Sequence, residues 1–104
     1  MYDTVKILAK LELFVGHNMR QAPFESKYRP VFSFSSDPSN KISGRVDLLN
    51  EQSHFAPGST GIVQITFIKD YLHDGCLRPG EAFFISENGN HNLGKGEVVE
   101  VIKE

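Results

Sequence analysis

Val5-Lys6-Ile7-Leu8-Ala9-Lys10-Leu11-Glu12-Leu13 carries the pattern that decides the fold. Val5, Ile7, Ala9, Leu11 and Leu13 alternate with Lys6, Lys10 and Glu12. Successive side chains of a strand point to opposite faces, so this period of two predicts a long strand with one buried face. The period returns along the chain. Tyr28 to Ser35 is short and aromatic, with Phe32 and Phe34 on one face and Pro30 at its start, where a missing N–H is tolerated. Lys41 to Leu49 sets Ile42, Gly44, Val46 and Leu48 against Ser43, Arg45 and Asp47. Gly61 to Ile68 puts Val63, Ile65 and Phe67 on one face. Glu81 to Ser86 is an apolar strand. Glu97 to Lys103 is the last, with Val99 and Val101 opposite Val98, Glu100 and Ile102.

The connections carry turn chemistry. Gly16 to Lys27 is polar and irregular, Asp37-Pro38-Ser39-Asn40 predicts a turn, and Asn50 to Ser59 is a loop closed by Pro57-Gly58. Asp70 to Gly80 is a loop, and Asn88 to Gly96 has the composition of a hairpin connection whose glycines supply positive φ. About six strands and no helix predict a single all-β domain over residues 1–104, either a closed barrel or a sandwich. Closure would also remove the exposed edges that a small β-domain must protect.

With 104 residues the chain suffices for one modest core. Eleven Lys and Arg against thirteen Asp and Glu give a net charge of -2. A protein held on nucleic acid by its overall field would be basic, so any RNA binding here must come from a local patch. The single cysteine, Cys76, allows no internal disulfide, which fits a reducing cytoplasm. Lys6, Lys10 and Glu12 interrupt the first apolar stretch, unlike a signal peptide. No apolar run reaches the ~20 residues of a spanning helix, so no membrane partner is expected.

Motifs for chemistry are weak. Gly89 to Gly96 reads G-x-x-x-x-G-K followed by Gly, where a P-loop needs a Ser or Thr hydroxyl for magnesium. A P-loop also leads into a helix, whereas Glu97-Val98-Val99-Glu100-Val101 is a strand pattern. His17, His54, His73 and His91 fall in separate loops with no metal-ligand spacing. His73-Asp74 with Ser59 or Ser86 would be the nearest thing to a triad, but no nucleophile elbow accompanies it. Glu81 and Glu87 flank one strand without any sign of tuning as an acid–base pair. The expectation is therefore no catalytic residues, no metal and no cofactor. The remaining candidates are polar loop residues: Arg20, Lys27, Arg29, Lys69, Glu87 and Lys95. Cations pair with phosphates, and a carboxylate can accept from a ribose 2′-hydroxyl.

Three phrases change the weight of these candidates. Arg20-Gln21-Ala22-Pro23-Phe24 with Tyr28-Arg29-Pro30, then Ala56-Pro57-Gly58, then Phe83 to Val99 (FFISENGNHNLGKGEVV) occur in one order. Together they resemble the third, C-terminal domain of elongation factor Tu, from about Val5 to Lys103. The family's phrases run Arg-His-Thr-Pro-Phe to Tyr-Arg-Pro, a Pro-Gly, and Phe-Ala-Ile-Arg-Glu-Gly-Gly leading to Val-Gly-Ala-Gly-Val-Val. This chain departs at Gln21, Val31, Ser86 and Asn88, and its segment Leu72 to Gly80 is longer. The resemblance implies a six-stranded antiparallel Greek-key barrel. It also implies tRNA contacts at Arg20, Lys69 and Glu87, with Gln21, Arg29 and Asn88 as additional contacts. The GTPase domain of that family has no counterpart here, so no GTP-driven cycle is implied.

Two functions follow as expectations. One is a non-enzymatic, translation-related binding module, cytoplasmic, contacting tRNA or another structured RNA. The other is a protein-interaction module that docks on a GTPase or another translation-factor protein. Salt separates them, because binding through phosphates weakens steeply as salt rises.

Overall fold

The alternating segments form strands: β1 (Thr4–Leu13), β2 (Val31–Phe34), β3 (Asp37–Leu48), β4 (Thr60–Ile68), β5 (Ala82–Ser86) and β6 (Asn92–Ile102). The computed structural model describes residues 3–16, 19, 22–49, 52–72, 77–87 and 91–102, without the side chains of residues 37, 38 and 70. The strands close into an antiparallel barrel in the order β1-β4-β3-β2-β5-β6. Hairpin-linked β2 and β3 are followed by β4, and β1 lies beside β4, which is a Greek-key arrangement. Of the two all-β architectures open to the sequence, the structure takes the closed one.

The predicted apolar faces fill the interior. Ile7, Ala9, Leu11, Leu13, Val46, Val63, Ile65 and Ile85 are all fully buried. Phe32, Phe34, Phe67 and Phe83 form a ring cluster at its centre, with centroids 4.9 to 5.7 Å apart. Each such side chain contributes about 1.5–3 kcal/mol by leaving water. Gly44 makes room for them, since a Cβ there would sit 2.7 Å from the Phe67 ring and 2.8 Å from Phe32.

Four local expectations are corrected. Asp37-Pro38-Ser39-Asn40 is not a turn; it begins β3, and the turn is Ser35-Ser36. Phe34 pairs with Asp37 across it, beside a register shift. This part of β3 has only β2 as a ladder partner, because β4 joins at Gly44, so Pro38 sits where a missing donor is tolerated. The last strand starts at Asn92 rather than Glu97, and Gly94 and Gly96 lie within it instead of in a loop. Neither adopts positive φ. They are glycines because of close approach: a Cβ on Gly96 would meet Phe83 Cζ at 2.4 Å and the Lys10 carbonyl at 2.6 Å. Val99 does not share an inward face with Val101. A bulge between Leu8 and Ala9 in the β1–β6 ladder leaves Val99 47% exposed while Val98 is buried. Finally, one 3-10 turn, Lys69–Tyr71, follows β4.

The three phrases quoted above meet in space. Phe24 and Phe55 exchange backbone hydrogen bonds of 3.0 and 2.8 Å, joining the first phrase to the residue before the second. Their rings stack, and Tyr28 stacks on Phe24 at 4.4 Å. Gly58, at φ 86, donates to the Leu13 carbonyl, and Phe14 donates to the Leu93 carbonyl of the closing phrase. Phe24 and Phe55 are buried although both lie in loops.

Candidate functional site

Arg29 is positioned by the segment that precedes β2. Lys27 adopts φ 74, and its N–H donates to the Val46 carbonyl. Val46 in turn donates to the Tyr28 carbonyl at 2.7 Å. These bonds lay Tyr28 against β3 and leave Arg29 exposed beside the start of β2.

Arg29 lines the wall of a cleft of about 760 Å³. The floor comes from β3 and β4 and includes Lys41, Ser43, Arg45 and Thr66. Tyr71 of the 3-10 turn and Thr4 of β1 complete it. Three cations line this cleft, and among the described residues lining it none is acidic. Arg45 is partly neutralised, because its Nε donates to Asp47 Oδ2 at 2.9 Å. Asn40 Nδ2 donates to the Tyr71 carbonyl at 3.3 Å and fixes the turn over the cleft. Thr66 Oγ1 is buried in the floor without a hydrogen-bond partner among the described residues.

The candidates from the sequence divide. Arg20, Gln21 and Asn88 lie outside the described residues, as do His17, His73, Asp74 and Cys76. Lys69 opens the 3-10 turn, is exposed, and its N–H donates to the Asp3 carbonyl. Its neighbours Ile68 and Tyr71 line the cleft. Lys69 itself is not among the residues that line the cleft, whereas Arg29 is. Glu87 lies farther round the barrel and accepts a hydrogen bond from Tyr28 Oη at 3.1 Å. Ser43 of the cleft and Ser86 both pair with Val31, so two strand spacings, roughly 10 Å, separate them. Lys95 projects from β6 into a different depression, of about 370 Å³, among Lys10, Glu12 and Glu97. The charges there are balanced.

Sequence reasoning did not single out Lys41, Arg45 and Tyr71. Arg45 carried a signal, since it falls on the outward face of an alternating strand; only the β3–β4 register places it opposite Thr66.

Another constellation is chemical in type. Ser53 Oγ lies 2.9 Å from His54 Nδ1, and His54 Nε2 lies 3.3 Å from Glu25 Oε1. His54 and Glu25 side chains are 56% and 72% exposed, so water competes for each contact and screens the pair. Among the described residues no three His, Cys, Asp or Glu side chains gather as metal ligands, and no helix is long and apolar enough to cross a membrane. No protein-family model matches the chain, and a search of curated proteins finds no significant match.

Proposed function

We propose that this barrel is a non-enzymatic binding module that contacts structured RNA, tRNA included, through the face between Arg29 and Lys69. The observation that carries the reading is the charge of the cleft. The chain has a net charge of -2, yet Arg29, Lys41 and Arg45 line one depression whose described lining holds no acidic residue, with Arg45 paired to Asp47 outside that lining. Lys69 follows the lining residue Ile68 in the chain and is exposed. This is the local patch that an acidic chain needs in order to hold phosphates. The resemblance to the elongation-factor barrel motivates the same reading; in this chain Phe24 and Tyr28 of the first phrase pack with Phe55, and Tyr28 bonds Glu87 of the closing phrase.

Protein docking has less to stand on. The exposed Ile62 and Phe84 are on strands separated by β1 and β6, with Lys10, Glu97 and Lys95 between or beside them. The experiment is a titration of the protein against a tRNA transcript from 50 to 300 mM salt. RNA binding through three or four phosphates gives an affinity that falls steeply over that range. A flat response, or no binding at 50 mM salt, rules the reading out.

A further inference from the structure

We propose that the cleft takes one unpaired nucleotide of the RNA, its base lying on the Tyr71 ring and its phosphate held by Arg29 and Lys41. The inference rests on the RNA reading above and adds the kind of RNA that the site selects. Tyr71 lines the cleft, is 56% exposed, and has no ring packed on it among the described residues. A large aromatic side chain left in water at the rim of a cationic cleft is the arrangement by which proteins stack nucleobases. Two features hold it there. The 3-10 turn follows β4 directly, and Asn40 from β3 holds the Tyr71 carbonyl.

A cleft of about 760 Å³ falls in the size range of small-ligand sites, ~300–1,000 Å³. A base inside a helix already has both faces stacked and cannot offer one to a side chain, whereas an unpaired base can. The polar lining suits the rest of the nucleotide. Arg29 and Lys41 are exposed cations, and the hydroxyls of Thr4 and Ser43 are of the type that hydrogen-bonds a ribose. Arg45 is paired with Asp47.

The test compares a blunt RNA hairpin with the same hairpin bearing a short unpaired 3′ tail. The wild-type chain, Tyr71→Ala, Tyr71→Phe and Arg29→Ala are each titrated at 100 mM salt. One stacked base is expected to give the tailed hairpin roughly a tenfold advantage. Tyr71→Ala should erase that advantage, so that the tailed and blunt hairpins bind it equally, while Tyr71→Phe should keep it. Arg29→Ala should weaken both. Equal wild-type affinity for the two hairpins, or an advantage that survives in Tyr71→Ala, overturns the inference and leaves the RNA reading standing. Absence of binding to either hairpin overturns both. Free adenosine and guanosine monophosphates are titrated in parallel. Binding as tight as that of the tailed hairpin would make this a small-molecule site and overturn the RNA assignment.

Discussion

Tyr28 Oη donates a hydrogen bond to Glu87 Oε2 at 3.1 Å, across 59 residues of chain. The bond fastens the loop before β2 to the end of β5. The Tyr28 ring has a second role, stacked on Phe24. Tyr28→Phe removes the bond and keeps the stack. It should cost about 0.5–1 kcal/mol, since the bond is exposed to water. Tyr28→Ala loses both and should cost about 2 kcal/mol or more. Urea unfolding measures each; equal costs would mean that the ring does not support the loop.

Glu87 allows a sharper comparison on the ligand side. A carboxylate that accepts from a 2′-hydroxyl distinguishes RNA from DNA. Glu87→Ala should therefore weaken binding to a structured RNA more than binding to DNA of the same sequence. Parallel titrations with both nucleic acids check this, and equal losses would remove Glu87 from the contact surface.

Gly96 has no space for a side chain. An added Cβ would lie 2.4 Å from Phe83 Cζ and 2.6 Å from the Lys10 carbonyl. Gly96→Ala must push β1, β5 and β6 apart and should cost about 1–3 kcal/mol, as overpacking does. A lowered urea midpoint with an unchanged slope is the expected result. An unchanged midpoint would mean that the strands are farther apart than this geometry.

Thr66 and its neighbour Ile65 should respond with opposite signs. The Thr66 hydroxyl is buried without a partner among the described residues, so Thr66→Val should stabilise the chain by about 1 kcal/mol. Ile65→Asp, or Val63→Asp, buries an unpaired charge in the barrel and should unfold it, at a cost of several kcal/mol. Circular dichroism and urea titration report both.

The strands were legible because one face of each is buried and the other is wet, which writes a period of two into the residues. Ile7, Ala9 and Leu11 show this most plainly. The errors fall where another force sets the choice. Asp37-Pro38 reads as a turn locally, but pairing with Phe34 makes it strand. Gly94 and Gly96 read as loop glycines, but the rings opposite them need the space. Phe24 and Phe55 are core residues without periodicity, because they pack from loops on each other. The cleft was half legible. Arg29 was marked by the phrase around it and Lys69 by what the resemblance implies, while Lys41, Arg45 and Tyr71 come to notice only through the β2–β3–β4 registers and the turn after β4.

The central claim is that a local cationic face, rather than the chain's overall charge, holds RNA. The direct test is the salt dependence of binding to a tRNA transcript for the wild-type chain, Arg29→Ala, Lys69→Ala and Lys95→Ala. Each substitution removes one positive charge, but Lys95 lies in the other depression. Arg29→Ala and Lys69→Ala should each weaken binding and make the slope of log affinity against log salt shallower by about one unit. Lys95→Ala should leave both nearly unchanged. Equal losses from Lys69 and Lys95, or no loss from Arg29 and Lys69 with the fold intact, would contradict the account.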